Sequence, residues 1–132
     1  MEPRTHLAAK PRLCGTLVEL GERFARVALD ATDEMVVDDH GLVHGGFVFG
    51  LADYAAMLAV NDPNVVLASA ETRFIKPVRR GDHLVASART VGVRGRKHEV
   101  RVEATANSQK VFEGTFTCFV LGRHVLEGVG SD

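Results

Sequence analysis

One stretch of this chain restricts its fold more than any other. From Phe47 to Asn61 the sequence carries Leu51, Ala52, Ala55, Ala56, Met57, Leu58 and Ala59, all compatible with helix, and then stops at Asn61-Asp62-Pro63. The apolar residues do not keep to one face. A helix apolar all round has to be covered on most sides, and its alanines and Gly50 let other backbone approach closely.

The cover lies downstream. Val65 to Ile75, His83 to Val93, Lys97 to Ala106 and Val111 to Leu121 read as strands separated by Lys76-Pro77, Arg80-Gly81-Asp82 and Asn107-Ser108-Gln109. In the third, Val100, Val102 and Ala104 alternate with Glu99, Arg101, Glu103 and Thr105, the pattern of a half-buried antiparallel sheet. Leu13 to Leu29 supplies one or two further strands, interrupted by Gly15 and Gly21. One buried helix against five or six strands is an α+β architecture. The first dozen residues read as a loose lead-in and the residues from Arg123 onward as a frayed tail. With 132 residues and no linker or repeat, one domain spanning 1–132 is expected, with a core over about 12–121.

Composition narrows the function. Sixteen basic residues face seventeen acidic ones, which argues against a chain built to grip nucleic acid. Met1 to Pro11 lacks the uninterrupted apolar stretch of an export signal, and no later segment reads as a membrane span, so a cytoplasmic location is expected, with no membrane partner. Cys14 and Cys118 are far apart and read as buried small hydrophobes. The six histidines have no cysteine-rich partners at ligand spacing, so no metal is expected.

Between Leu42 and Val60 the single carboxylate is Asp53. Buried in such a helix it must be paired, protonated or facing a cavity. It is either a group paired across an interface or the base or nucleophile of a pocket. His44-Gly45-Gly46 just before the helix allows the backbone to turn closely and presents the first N–H groups of the helix, whose positive end suits a developing oxyanion. Such a donor is worth about 3–4 kcal/mol in a hydrolase. His44 either orients this loop or sits beside the reacting group. Asp53 lies roughly 10 Å along the helix from those amides, so a site shared between two copies is the simpler geometry. There is no G-x-S-x-G elbow and no Cys–His pair.

The run Gly41-Leu42-Val43-His44-Gly45-Gly46-Phe47-Val48-Phe49-Gly50-Leu51-Ala52-Asp53-Tyr54-Ala55 resembles the signature of the hotdog-fold thioesterases, in particular the PaaI-like, phenylacetic-acid-pathway branch. Asn61, Phe74-Ile75-Lys76-Pro77 and Arg80-Gly81-Asp82 are similar as well, and the likeness covers about residues 12–121. It implies a long helix wrapped by a curved antiparallel sheet, two units joining sheets in a homodimer that often pairs again into a homotetramer. It implies hydrolysis of an acyl-CoA thioester, with no cofactor beyond the coenzyme A of the substrate. By position Asp53 would be the catalytic carboxylate, Gly46 or else Gly45 the amide polarising the carbonyl from the partner subunit, and His44 the residue shaping the loop. Two departures stand out: Asp38 where many relatives have asparagine, and Met57 where some have Ser or Thr. Ser69 is a loose polar substitute.

The remaining candidates follow from substrate chemistry. Arg79-Arg80 and Arg94-Gly95-Arg96-Lys97 suit coenzyme A phosphates, or are charged because turns are wet. Phe47, Tyr54 and Met57 would line the acyl pocket, Phe49 belonging there or to the core; Tyr54 contributes its hydroxyl or simply packs. One alternative is a non-catalytic acyl-CoA sensor, because Ser69–Phe74 and Val111–Phe116 are similar to the effector domain of a bacterial lipid-synthesis repressor with this fold. The residues ahead of Leu13 are too few for its DNA-binding helices. A dehydratase of the same fold and a purely structural dimer domain are the other classes.

Overall fold

The computed structural model describes residues 1–128. After a short helix α1 (Pro11–Cys14) come β1 (Thr16–Gly21) and β2 (Phe24–Asp30), then a single 3-10 turn at Asp33–Met35. The long helix α2 (Gly45–Val60) follows, and then β3 (Val65–Phe74), β4 (His83–Arg94), β5 (Lys97–Ala106) and β6 (Gln109–Val120). All six strands form one antiparallel sheet in the order β1-β2-β4-β5-β6-β3. The sheet curves around α2 without closing, which is the hotdog arrangement.

The alternation read from the sequence is what holds it. Leu84, Ala86 and Ala88 of β4, Val100, Val102 and Ala104 of β5, Ala25 and Val27 of β2 and Phe112 and Phe116 of β6 all point inward and are fully buried. Alanine at four of these positions lets the helix sit close to the middle of the sheet, while the two phenylalanines fill the space toward β3. Leu51, Ala55 and Leu58 of α2 meet them with no exposed surface. Asn107 and Ser108, both at positive φ, form the two-residue turn between β5 and β6, whose twist matches the strands.

Helix α2 starts earlier than the sequence implies. Gly45 and Gly46 are its first two residues rather than a loop before it, because His44 caps the helix with its own ring nitrogen. Its other end closes on Asn61 in the left-handed conformation (φ 54°), with the Asn61 N–H on the Met57 carbonyl at 2.8 Å. The first ten residues are not loose either: Thr5 is only 5% exposed and Asn61 holds the backbone at both Glu2 and Arg4. The expected tail begins with a 3-10 turn at Val125–Gly128, and its last four residues lie outside the described part. Among the described residues no helix is long and apolar enough to cross a membrane, and no His, Cys, Asp and Glu cluster could hold a metal ion.

Candidate active site

The loop ahead of α2 is organised by Asp38. Its Oδ1 accepts from the His40 N–H at 2.9 Å and the Leu42 N–H at 3.1 Å, so the carboxylate at this departure from the family pattern folds the turn itself. The chain then bridges to the segment before β4, Val43 N–H to the Val78 carbonyl and Arg80 N–H to the Gly41 carbonyl. At the helix start the Gly46 N–H donates to His44 Nδ1 at 2.7 Å, and the Phe47 N–H donates to the His44 carbonyl. A Cβ on Gly46 would lie 2.7 Å from that ring nitrogen, so glycine is required for the fold-back. An Nδ1 that accepts leaves the ring proton on Nε2, so His44 is a neutral donor on its exposed side. Of the first three amides of α2, the one at Gly45 makes no hydrogen bond among the described residues. The His44 ring is thus tied to the loop through Gly46, and the amide without a partner among the described residues is that of Gly45.

Asp53 lies eight residues farther on, half-buried, and its Oδ1 is buried with no hydrogen-bond partner among the described residues. Burial raises its pKa above the ordinary 3.8, and the charge of His6 opposes this. Cys118 on β6 is close enough for the Asp53 charge to act on it. Burial first, and that charge second, push its thiol up to about 12, so it stays protonated and is no nucleophile. Cys118 is the buried hydrophobe expected; Cys14, also free, is only half-buried. Tyr54 is half-buried beside Cys14, and burial raises its phenol pKa.

The other candidates separate. Phe47 is half-buried and edge-on to the His44 ring at 6.3 Å, within reach of the loop. Phe49 packs on Phe116 at 5.4 Å between centroids, its core alternative. Met57 is 1% exposed and belongs to the core, so in the single chain it lines no open pocket. Ser69 is exposed on β3, a strand with a neighbour on one side only. The Asn61 side chain is engaged by the N-terminal arm.

The two basic clusters sit at opposite ends of α2. Arg79 bridges Leu42 beside the glycine loop, and Arg80 is paired with Asp33 at 3.2 Å, an exposed pair worth little. Arg94 and Lys97 share a surface cavity with Gly92, Val93 and Glu99, while the Arg96 carbonyl accepts from the Val120 N–H near the helix C-terminus. Sixteen residues of helix, about 24 Å, separate the two ends. Within one chain a single cluster can serve the glycine loop.

Residues 40–113 match the family model of the thioesterase superfamily, the span that holds the glycine loop, α2 and most of the sheet. The chain belongs to the thioesterase superfamily. Among solved structures it is similar to protein PH1136 of Pyrococcus horikoshii, at 52% identity and a TM-score of 0.94 over 96% of this chain and 97% of that one. It is also similar to an Asn-to-Asp mutant of the phenylacetic acid degradation protein PaaI of Thermus thermophilus, at 32% identity and a TM-score of 0.75 over 83% and 95%. The smu.793 protein of Streptococcus mutans, whose structure holds acetyl CoA, matches at 26% identity and a TM-score of 0.76 over 83% and 90%. Among curated relatives, methylthioribose-1-phosphate isomerase of Aquifex aeolicus is 49% identical over 92% of this chain and 27% of that protein. Transcription factor FapR of Caldanaerobacter subterraneus is 29% identical over 83% of this chain and 54% of that protein. This superfamily member therefore spans about a quarter to about half the length of those two relatives. Relationship to PaaI-like proteins is what the motif around Asp53 implied.

Sequence reasoning missed Thr5 and His6. They carry no periodicity and precede every recognisable element, so no local signal marks them; only the folded chain brings the His6 charge to bear on Asp53.

Proposed function

We propose that this chain hydrolyses an acyl-CoA thioester at a site completed by a second copy of itself. The observation that carries the reading is the buried, unpartnered Oδ1 of Asp53 in an otherwise apolar helix, since an uncompensated buried carboxylate costs stability and such groups cluster at functional sites. As base, Asp53 takes a proton from water while the oxygen of that water bonds to the thioester carbon. The C–S bond then breaks, and the departing thiolate takes the proton. As nucleophile, the Asp53 carboxylate bonds to the thioester carbon while the C–S bond breaks and coenzyme A leaves as its thiolate. Water then opens the resulting anhydride, freeing the acid and the Asp53 carboxylate and giving its remaining proton to the thiolate. In both cases the open Gly45 amide, with Gly46 held by His44, supports the carbonyl oxygen as it becomes negative.

Eight residues of helix place that amide about 12 Å from Asp53, so the amide and the carboxylate that meet one carbonyl come from different subunits. The free edge of β3, ten residues long, is the natural seam, because an unpaired strand edge seeks another strand. Light scattering should give twice or four times the chain mass; a monomer that still turns over thioesters would overturn the shared site. Phe47 and Tyr54 are the acyl-facing residues this reading keeps, with Met57 behind them in the core. One of the two basic clusters, Arg79-Arg80 or Arg94-Arg96-Lys97, faces the coenzyme A phosphates.

The test is a panel of aryl- and aliphatic-CoA thioesters, followed by free thiol release. Turnover that ranks the acyl groups supports the proposal. Tight binding without release from any thioester would favour a sensor, the second reading, which the FapR likeness over 83% of the chain supports. Neither turnover nor binding would remove both. Gly46→Ala should lower kcat about 10- to 100-fold by displacing His44 from its cap, a misplacement of the loop. Its melting temperature should hardly change, because alanine in the first turn offsets the lost cap, each worth about 1 kcal/mol.

A further inference from the structure

The inner face of the sheet turns polar at one end. Along β4 the inward positions run Leu84, Ala86, Ala88 and then Thr90; along β5 they run Ala104, Val102, Val100 and then His98. Val100 lies opposite Thr90, so the hydroxyl and the half-buried imidazole are neighbours where these two strands otherwise carry apolar side chains. Thr90 is 7% exposed, yet its Oγ1 has no hydrogen-bond partner among the described residues. A buried hydroxyl without a partner weakens the fold, and valine would fill nearly the same space without that cost.

Both residues line one cavity of about 290 Å³ at the C-terminal end of α2, together with Asn61 and the exposed Arg4, Glu22 and Arg23. Arg23 belongs to the two-residue turn between β1 and β2, flanked by the pair Gly21 and Phe24. It takes a left-handed backbone (φ 60°), which glycine or asparagine adopts at less cost, so an arginine there points to use of its side chain. The Thr90 N–H donates to the Arg23 carbonyl at 2.9 Å and locks the turn against β4. Arg4 is brought in by the N-terminal arm, its backbone N–H held by Asn61 Oδ1 at 2.7 Å. Among the described residues neither arginine forms a salt bridge, and Glu22 forms none. Asp62 beyond the helix already accepts from the Asn64 N–H at 2.8 Å. Burial, and after it the charge of Arg23, lower the His98 pKa, with Asp62 opposing, so the ring is a neutral N–H donor near neutral pH.

We propose that this cavity binds a phosphate group, with the Thr90 hydroxyl and the His98 ring as its floor and the Arg4 and Arg23 guanidiniums at its rim. Four donor groups arriving from arm, turn, β4 and β5 suit an anion with oxygens on every side; a planar carboxylate would leave some of them unused. Bound there, the phosphate gives the orphaned hydroxyl an acceptor and the left-handed arginine a partner. The end of α2 carries about half a negative charge, and the two guanidiniums outweigh it even with Glu22 added. The site uses neither Asp53 nor the glycine loop nor either basic cluster, so it goes beyond the hydrolase reading and stands apart from it. The phosphate belongs to a free phosphate-bearing ligand or to coenzyme A itself, which present the same group.

The test follows the His98 imidazole proton signal in the full chain, assigned by its loss in His98→Gln, as inorganic phosphate is added at constant ionic strength. Saturable movement of the signal is expected, with the His98 midpoint raised by the neighbouring anion. Arg23→Gly and Thr90→Val should each weaken binding about 10-fold or more, and Glu22→Gln should tighten it. Both weakened variants should melt at the wild-type temperature or above, because one relieves the left-handed backbone and the other removes the unpartnered hydroxyl. A purely structural role for Arg23 and Thr90 predicts the reverse, lower melting with phosphate unaffected. Coenzyme A and dephospho-coenzyme A separate the sources. Tighter binding of coenzyme A than of phosphate, lost with the dephospho form, assigns the group to the ribose phosphate of the coenzyme; coenzyme A no tighter than phosphate assigns it to a separate ligand. No movement with any of the three probes, an equal movement with chloride, or binding unchanged in both Arg23→Gly and Thr90→Val overturns the proposal. The signal needs no turnover, so a chain that hydrolyses no thioester can still bind phosphate, and the two readings fail separately.

Discussion

Asp53→Asn is expected to lower kcat/KM for thioester hydrolysis by about 10²- to 10⁴-fold, the range for removal of a positioned acid–base group, and at the same time to raise the melting temperature at neutral pH. Both follow from one observation, the burial of an unpartnered carboxylate oxygen on α2. The amide is nearly isosteric and cannot take a proton from water or attack carbon, so the chemistry goes while the packing stays. The stability change has a definite sign. The folded-state pKa of Asp53 lies above its ordinary 3.8, so the folded protein holds this proton more tightly than the unfolded chain does. The contribution of Asp53 to stability is therefore fully favourable below 3.8 and is lost as pH rises through the folded value. At neutral pH the wild type bears the whole cost of a buried charge and the asparagine variant bears none. Thermal melts of the two proteins should diverge most near neutral pH and converge as pH is lowered toward 3.8. Thiol release by wild type should also fall away on acidification at a pH above that of an ordinary carboxylate. A variant that is inactive and no more stable at neutral pH would mean that Asp53 gains a compensating partner, most simply from the second subunit.

What could be read in the sequence, and what could not, divides along physical lines. The strand from Lys97 to Ala106 was legible to the residue because one face is buried and the other wet, so period two is imposed at every position. Val65 to Ile75 and His83 to Val93 were legible to within a residue for the same reason. The order of the strands was not, because pairing β2 with β4 and sending β3 beyond β6 to the far edge leaves no trace in local pattern. Helix α2 was legible in type but not at its start: glycine is a poor helix former, so Gly45 and Gly46 read as loop, whereas the structure uses the missing Cβ to fold His44 back as a cap. Asp53 stood out because a charge in an apolar helix conflicts with everything around it. Met57 reads as an acyl-pocket residue but lies in the core, since a helix without a polar face gives no sign of which side meets the core and which the pocket. The fastening of the first residues to Asn61 was invisible because it joins segments far apart in the chain.

Gly15→Ala is expected to destabilise the protein by about 3 kcal/mol or more, from two penalties that act together. Gly15 ends α1 at φ 106°, a conformation closed to residues with a Cβ, and a methyl built there would lie 2.6 Å from Val27 Cγ1, 2.9 Å from the Ala28 carbonyl oxygen and 2.9 Å from Leu51 Cδ1. None of the three can give way easily. Val27 and Leu51 are fully buried, and the Ala28 carbonyl belongs to the ladder joining β2 to its neighbours. Gly92→Ala is the control: a methyl on Gly92 would meet no atom within 4 Å, and the change should stay within about 0.5 kcal/mol. Urea unfolding of both variants at one fixed chain concentration, so that subunit association does not differ between them, gives the comparison. A loss below about 1 kcal/mol would show that α2 moves to accept the methyl. Leu51 is two residues from Asp53, so such a movement would carry the carboxylate with it. Activity per folded molecule would then fall even though stability had not, which makes Gly15 a probe of how rigidly this fold must hold Asp53.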